Sequence, residues 1–301
     1  MIDPILFTIE LGKFSLSIYW YGVLVSLGIV VASLIAAKEV ERRKEDPEHV
    51  WNAMIWMLVA GVIGARLWYV GNDILGGGTR YLDNPIDIIN IKQGGLHFYG
   101  GLLFGAVVLI IYTLKYKIDL RLFLDSIAPA TLIGQAVARP ANFINQELYG
   151  QPTSLPWGIR ISPNARLAQW RDMNVFPYET TRFHPTFAYE MVWNFIAAGF
   201  LIWLGRKFED RIKPGTLFAG WLVLAGIGRQ LVEFFRPDQP RIPGTDISFT
   251  RVVAGLMSIV GLLILLARYE IIKIPFLSMG SDSYKISTQE DDDTVEETAA
   301  V

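Results

Sequence analysis

Seven blocks of predominantly apolar residues, separated by polar segments, dominate the pattern of this chain. They lie near residues 17–37, 51–70, 98–114, 122–138, 185–204, 216–235 and 251–267. A helix of roughly 17–25 apolar residues matches the hydrocarbon thickness of a bilayer. The pattern therefore predicts an all-α integral membrane protein, with seven transmembrane helices within residues 1–275.

Three polar segments between or after the apolar blocks are long enough for their composition to predict their structure. Residues 71–97 contain GGG and NP turn signals and predict only short structure. Residues 147–184 combine Trp and Tyr anchors with scattered prolines and predict a small extracytoplasmic cap. Residues 276–301 are acidic and poor in apolar side chains, which predicts a disordered cytoplasmic tail.

Basic residues predict the orientation of the spans. Lysine and arginine clusters follow the first, third, fifth and seventh blocks, as in Lys38–Lys44 and Arg206–Lys213. Short cytoplasmic loops carry such an excess of basic residues. The N-terminus is therefore predicted to lie outside and the C-terminus in the cytoplasm.

The amino-acid composition excludes several kinds of functional site. Of the 301 residues, 52% are hydrophobic and none is cysteine, so disulfides, thiolate nucleophiles and cysteine metal sites are excluded. The three histidines are far apart in sequence, and we predict neither a metal nor a cofactor. The net charge of −2, with no basic arm, gives no indication of nucleic-acid binding.

The stretch ARPANFINQELYG, residues 138–150, places polar groups at the end of the fourth apolar block. Read as a helix, Gln135, Arg139, Asn142 and Gln146 share one face. Pro140 cannot donate a hydrogen bond to the carbonyl four residues earlier and predicts a kink. The residues alone allow a helix end whose polar groups face water or pair together, but ionisable groups in a span favour a functional site.

Other unusual polar residues are predicted to lie in the same outer half of the membrane. These are Tyr21, Arg66, His97, Tyr99, His184, Tyr189, Glu190, Arg229, Glu233 and Arg236. Glu233 has the helical spacing to pair with Arg229 and Arg236. Such a triad keeps an excess positive charge, and each buried arginine costs roughly 2.5–3.5 kcal/mol on insertion scales. An anionic phospholipid headgroup would offset this cost, because arginine matches phosphate oxygens bidentately.

Seven motifs in order give this chain a resemblance to a known family. ARPANFINQELYG resembles the GRxGNFINGELxG segment of the bacterial prolipoprotein diacylglyceryl transferases. It is accompanied by YWYG (19–22), GARLWYV (64–70), GGLHFYGG (94–101), DSIAP (125–129), HPTFAYE (184–190) and GRQLVEFFRPD (228–238). The resemblance covers about residues 15–270.

The resemblance implies a seven-span enzyme of the bacterial inner membrane with its N-terminus outside. Its substrates would be phosphatidylglycerol and the lipobox cysteine that follows the signal peptide of a preprolipoprotein. The diacylglyceryl group would move to the thiol, forming a thioether and releasing glycerol phosphate. Arg139 and Arg229 would be the essential arginines. The lipid site would be lined by Tyr21, Arg66, Asn142, Asn145, Glu147, Gly150, His184, Glu233 and Arg236.

The sequence departs from the family pattern at two positions. Well-known members have a histidine where this chain has Tyr99, and often a tyrosine where it has Ala225. His97 lies two residues before Tyr99, so it could replace the usual base if the segment is extended but not if it is helical. Alternatively, Tyr99 only donates hydrogen bonds and the arginines lower the pKa of the thiol.

Two other functions remain open on the residues alone. A lipid-binding or transport protein that diverged from the same family would use the same arginines without chemistry. A phospholipid hydrolase would need an activated serine or a metal site, and the predicted outer cluster contains neither.

Overall fold

The chain is described here from a computed structural model, which covers residues 2–12, 14–91, 94–236, 239, 241–245, 247–274 and 281–287. It divides into two compact units. The first comprises residues up to Ile35 together with Leu124–Ser283, and the second comprises Ala36–Phe123 with the segment from Tyr284.

The N-terminal residues form a β-hairpin that leads directly into the first long helix. Strands β1 (Ile5–Leu11) and β2 (Phe14–Tyr19) are antiparallel, and helix α1 spans Trp20–Arg42. The first apolar block was predicted at 17–37, so its first residues were wrongly assigned to a helix. Apolar and polar residues alternate up to Ile18, which favours a strand, and the continuous apolar run starts only afterwards.

The second unit is built on two long helices that pack closely. Helix α2 (Glu48–Leu75) is followed by α3 (Arg80–Asp83), a 3₁₀ turn and α4 (Phe98–Lys115), so the predicted short structure between the spans is confirmed. A Cβ added to Gly100 would lie only 2.3 Å from the carbonyl oxygen of Gly64. The absence of side chains at these glycines therefore permits the close approach of α2 and α4.

The helix is interrupted immediately before Pro140, where the sequence predicts a kink. Helix α5 (Leu120–Ala138) ends one residue before Arg139, and the short helix α6 (Pro140–Ile144) continues it. The Ala136 carbonyl, which Pro140 cannot serve, accepts a hydrogen bond from the Arg139 backbone N–H at 3.3 Å. Gln146 was wrongly placed on this helical face, because the helix ends earlier and Gln146 has a φ of +53°.

The remaining helices of the first unit are α7 (Thr186–Lys207), α8 (Thr216–Glu233) and α9 (Phe249–Arg268). Leu132 of α5 packs in a buried cluster with Ala197, Ala198 and Leu201 of α7. The buried carboxylate of Asp125 accepts hydrogen bonds from the backbone N–H groups of Gly215 (2.6 Å) and Phe218 (2.7 Å). Asp125 thereby satisfies orphan donors at the N-terminus of α8.

The described residues include six helices long and apolar enough to cross a membrane: α1, α2, α4, α5 with α6, α7 and α9. The protein is therefore a multi-pass membrane protein. Helix α8 also has membrane length, at 18 residues. However, Arg229, Gln230 and Glu233 lower its hydropathy, and it does not belong to that set of six.

Residues 147–184 form a small packed module rather than an open loop. Strands β3 (Pro152–Thr153) and β4 (Arg182–Phe183) pair, and a buried cluster is formed by Tyr149, Ile161, Trp170 and Phe183. The described residues are mostly helical but include two small two-stranded sheets, which an all-α assignment omits. The side of the membrane on which the module lies stays a prediction.

Most of the tail predicted to be disordered lies outside the described residues, at 276–280 and 288–301. Within the first unit, Asp282 pairs with Lys213 at 3.2 Å. Within the second unit, the backbone N–H and the hydroxyl of Ser287 donate to the Glu45 carboxylate at 3.0 and 2.6 Å. This part of the tail therefore has defined partners.

Candidate active site

Arg139 stands at the junction of α5 and α6 and is held by two side chains. Its guanidinium forms an ion pair with Glu190 of α7 and donates a hydrogen bond to the Asn142 amide oxygen at 3.4 Å. The Nε of Arg139 is buried and has no hydrogen-bond partner among the described residues. An arginine at a helix break thus keeps a donor available inside the apolar part of the protein.

The loop after α6 fixes Asn142 in turn. The Glu147 carboxylate accepts hydrogen bonds from the side-chain amides of Asn142 at 2.9 Å and Asn145 at 3.3 Å. Gln146 and Leu148, on either side of Glu147, both have a φ of +53°, which is uncommon for residues other than glycine. This tight turn brings Glu147 back to Asn142, so that Glu147, Asn142 and Arg139 form one hydrogen-bonded chain.

Gly150 has a packing role. A Cβ at this position would lie 2.5 Å from the Phe235 carbonyl oxygen and 2.9 Å from the Cβ of His184. The Gly150 N–H donates to the His184 carbonyl at 2.8 Å. Any larger residue would therefore push apart the segments that follow α6, precede α7 and follow α8.

Arg229 and Glu233 lie one turn apart on α8. An Nη of Arg229 is 3.3 Å from the Glu233 carboxylate and donates to the Gln239 side-chain oxygen at 3.0 Å. The Ser248 hydroxyl donates to the other carboxylate oxygen of Glu233 at 2.5 Å. The predicted pairing of Glu233 with Arg229 is confirmed, whereas its pairing with the buried Arg236 stays a prediction.

The two arginine groups share one electrostatic environment. The charges of Glu190, Arg236, Glu233 and Arg139 all act on the Arg229 guanidinium. With Arg229 itself, these charges belong to three arginines and two glutamates, and Glu147, which is linked to Arg139 through Asn142, adds a third carboxylate to the group. The structure therefore brings together Arg139, Arg229, Glu233 and Arg236, which lie up to 97 positions apart in sequence.

His184 belongs to a hydrogen-bonded aromatic group. Trp157 Nε1, which can only donate, contacts the Tyr189 hydroxyl at 2.8 Å, and that hydroxyl is 3.0 Å from His184 Nδ1. Burial lowers the pKa of His184 below its ordinary value, so the imidazole is neutral at pH 7.

Arg66, in the second unit, has a full set of protein partners. Its five N–H groups donate to the carbonyl oxygens of residues 87, 88, 90, 94 and 95 at 2.6–3.0 Å. The residue is only 6% exposed, and a Cβ at Gly95 would lie 2.4 Å from an Nη atom. In this structure Arg66 therefore organises the loop before α4. A role as a phosphate ligand would require some of these bonds to break.

Replacing Arg66 with lysine is expected to destabilise the protein by about 2–3 kcal/mol, because a lysine cannot reach five diverging carbonyls. Thermal unfolding in detergent measures this change. Arg80→Lys is the matched control: Arg80 is exposed, pairs at the surface with Asp87 at 3.0 Å and lies over the Tyr81 ring, so its replacement should change unfolding far less. Normal stability of Arg66→Lys with weakened lipid binding would instead support the phosphate role.

The same loop leads to His97 and Tyr99. His97 has an extended backbone at the start of α4, whereas Tyr99 is already helical. Their rings are 5.5 Å apart and tilted by 33°, and Trp68 stacks near the imidazole at 6.3 Å. His97 Nδ1 is buried and lacks a hydrogen-bond partner among the described residues. Because the helix starts between the two residues, their side chains do not diverge as they would within one helix.

Comparison with known proteins identifies the family. The family model described as prolipoprotein diacylglyceryl transferase matches residues 4–267. The chain belongs to this family.

Among curated relatives, a phosphatidylglycerol–prolipoprotein diacylglyceryl transferase of Chloroflexus aggregans is 35% identical over 243 residues, 78% of each chain. A protein of the same name from Clostridium botulinum is 33% identical over 273 residues, 90% of this chain and 98% of its own. One from Bifidobacterium longum is 32% identical, covering 84% of this chain and 78% of its own. The similarity to these diacylglyceryl transferases thus extends over most of the chain.

Within this family site, sequence reasoning assigned no role to three supporting residues. Glu190 was placed among the polar residues of the outer half without a function, and it pairs with Arg139. Gln239 and Ser248 were not singled out, and they contact Arg229 and Glu233 respectively. Tyr21 lies in the first turn of α1 and is 45% exposed, and its predicted role in lining the lipid site stays a prediction.

Proposed function

We propose that this protein transfers the diacylglyceryl group of phosphatidylglycerol to the lipobox cysteine thiol of preprolipoproteins. The cysteine sulfur attacks the glycerol carbon that carries the phosphate, forming a C–S bond as the C–O bond to phosphate breaks. Glycerol phosphate leaves with the bonding electrons. The observation that carries the proposal is the cluster of partly buried arginines, in which Arg139 keeps an unpartnered Nε, in a member of this family.

Arg139 and Arg229 are proposed to bind the phosphate and to stabilise the charge that develops on it as it leaves. The free Nε of Arg139 supports this role, since a phosphate oxygen is a suitable acceptor for it. Glu190 and Glu233 orient the two guanidinium groups and partly neutralise them. Donors that are already positioned need little reorganisation when charge develops in a transition state.

Asn142, Asn145 and Glu147 are proposed to support the lipid site through the hydrogen-bonded turn after α6. Arg236, His184 and Tyr21 are assigned to the same site by the family motifs that contain them. Gly150 contributes by allowing the surrounding backbone to close up.

His97 is proposed as the base that removes the proton from the substrate thiol. Its unpartnered Nδ1 is a suitable proton acceptor, and Tyr99 supports the imidazole from one side. The proton balance is then complete: the thiol proton passes to His97, and sulfur retains the electron pair used in the new bond.

The proposed location is the bacterial inner membrane, with α8 as the seventh span. The N-terminus and the 147–184 cap would face outward, towards the signal peptide and lipobox of the substrate, and the C-terminus would face the cytoplasm. The basic clusters after the first, third, fifth and seventh apolar blocks support this orientation. The lipid-binding alternative is less favoured, because the curated relatives cited above are named as transferases.

The deciding experiment combines the purified protein in detergent with phosphatidylglycerol and a peptide that carries a lipobox cysteine. Mass spectrometry should detect a diacylglyceryl adduct on the peptide and release of glycerol phosphate. A peptide with serine in place of cysteine should gain no mass. Phosphatidylglycerol that stays bound and intact would instead identify a lipid-binding relative without chemistry.

A further inference from the structure

The N-terminal hairpin has one apolar and one polar face. Its register pairs Phe7 with Ile18 and Ile9 with Leu16, whereas the alternate positions pair Thr8 with Ser17 and Glu10 with Ser15. Successive side chains of a strand point to opposite faces. The first two pairs therefore form an apolar face, and the other two form a polar face on which the Thr8 and Ser17 hydroxyls are 3.0 Å apart.

The apolar face is largely uncovered by the protein. Phe7 is 50% exposed, Ile9 41% and Leu16 54%. An isolated two-stranded hairpin is at best marginally stable in water, and it gains stability when its apolar face is covered. This pattern therefore indicates that something outside the described protein covers this face.

The position of the hairpin identifies what covers it. Strand β2 ends at Tyr19 and α1 begins at Trp20, without a linker between them. The Trp20 N–H also donates to the Pro4 carbonyl at 3.0 Å, which ties the base of the hairpin to the first turn of α1. Tyr and Trp residues are enriched where a membrane helix meets the headgroups. The hairpin thus lies at the end of a membrane-length helix, where the bilayer surface is expected.

We propose that the apolar face of the hairpin lies on the phospholipid surface at the N-terminal end of α1. Phe7, Ile9 and Leu16 enter the boundary between headgroups and acyl chains, as the apolar face of an interfacial amphipathic helix does. Glu10 is on the opposite face, directed away from the lipid, where its charge remains hydrated. This inference does not depend on the transferase reaction.

The absence of cysteine makes the test direct, because single cysteines can carry spin labels in the full-length protein. Ile9→Cys and Leu16→Cys probe the apolar face, and Thr8→Cys and Ser17→Cys probe the polar face. The labelled proteins are placed in nanodiscs of phosphatidylglycerol and phosphatidylethanolamine, and collisions with oxygen and with a water-soluble nickel chelate are compared. Exposed positions in α9 (Leu256) and in the 147–184 module (Glu179) provide lipid and water references.

Labels on the apolar face should show a several-fold lower nickel collision rate than labels on the polar face, with values close to those at position 256. Nickel accessibility as high on both faces as at position 179 would overturn the proposal. So would spin–spin broadening that appears only in nanodiscs with two copies, since it would assign the face to a second copy of this chain. Neither readout requires activity, so failure here is distinguishable from failure of the transferase assay.

Discussion

Arg139→Ala and Arg229→Ala are each expected to lower diacylglyceryl transfer by at least about 10²–10³-fold, the usual effect of removing one donor that stabilises transition-state charge. The measurement is kcat/KM for the lipobox peptide at saturating phosphatidylglycerol. The loss should be severe because each variant removes a positive charge from the cluster and leaves a carboxylate facing the phosphate, Glu190 or Glu233. Lysine at either position should restore only a small part of the activity, since it lacks the planar guanidinium that binds two phosphate oxygens at once.

Two controls separate a catalytic effect from misfolding. Arg160→Ala removes an exposed arginine that pairs with Glu179 at 3.4 Å in the same unit, and activity should be unchanged. Arg139→Gln and Arg229→Gln remove the charge but keep a polar side chain with an amide donor, so they should unfold closer to the wild-type temperature than the alanine variants and still be inactive. Full activity of both alanine variants would refute the assignment of the two arginines.

The helical part of this fold could be predicted from the sequence because the bilayer imposes a length on apolar segments. All seven blocks correspond to helices, with ends that differ by a few residues. The N-terminal hairpin was not predicted, because it is short and its signal is a weak alternation. Helix α8 was predicted, but it carries enough polar residues to fall outside the set of candidate spans, so its role as a seventh span stays a prediction.

The arginine cluster could be predicted for a similar physical reason. Charged residues in apolar helices are costly, so Arg139, Arg229 and Glu233 were conspicuous in the sequence. Their partners were harder to predict, since the contact between Arg139 and Glu190 joins residues 51 positions apart. For Arg66 the prediction from residue type differs from the structure. An arginine in a span indicated an anion-binding site, whereas its five N–H groups all donate to backbone carbonyls of one loop.

Because position 99 is a tyrosine, either His97 or the arginines could activate the thiol, and sequence spacing alone could not decide between them. Whether His97 and Tyr99 point the same way depends on where α4 begins, and helix ends are not fixed by periodicity. The helix begins between them at Phe98, and the two rings lie side by side. The two side chains therefore do not diverge as they would within one helix, and the role of His97 as the base stays a prediction.

His97→Ala is therefore expected to lower kcat at pH 7 by about 10²-fold or more, the usual contribution of a general base. The loss should shrink as the pH approaches the ordinary thiol pKa of about 8.5, because the substrate thiol then ionises without help. Tyr99→Phe is the comparison variant. It removes only a hydroxyl and keeps the ring beside His97, so its pH–rate profile should follow that of the wild type.

A wild-type pH–rate profile in His97→Ala would contradict this role and leave thiol activation to the arginines. Phosphatidylglycerol affinity is the second readout, since a base for the thiol should not alter binding of the lipid. If His97→Ala lost lipid binding to the same extent as activity, His97 would instead act through the loop that Arg66 organises. The Arg66→Lys variant would then also lose both activity and lipid affinity. If His97 is the base, His97→Ala should lower kcat without changing lipid affinity, unlike Arg66→Lys.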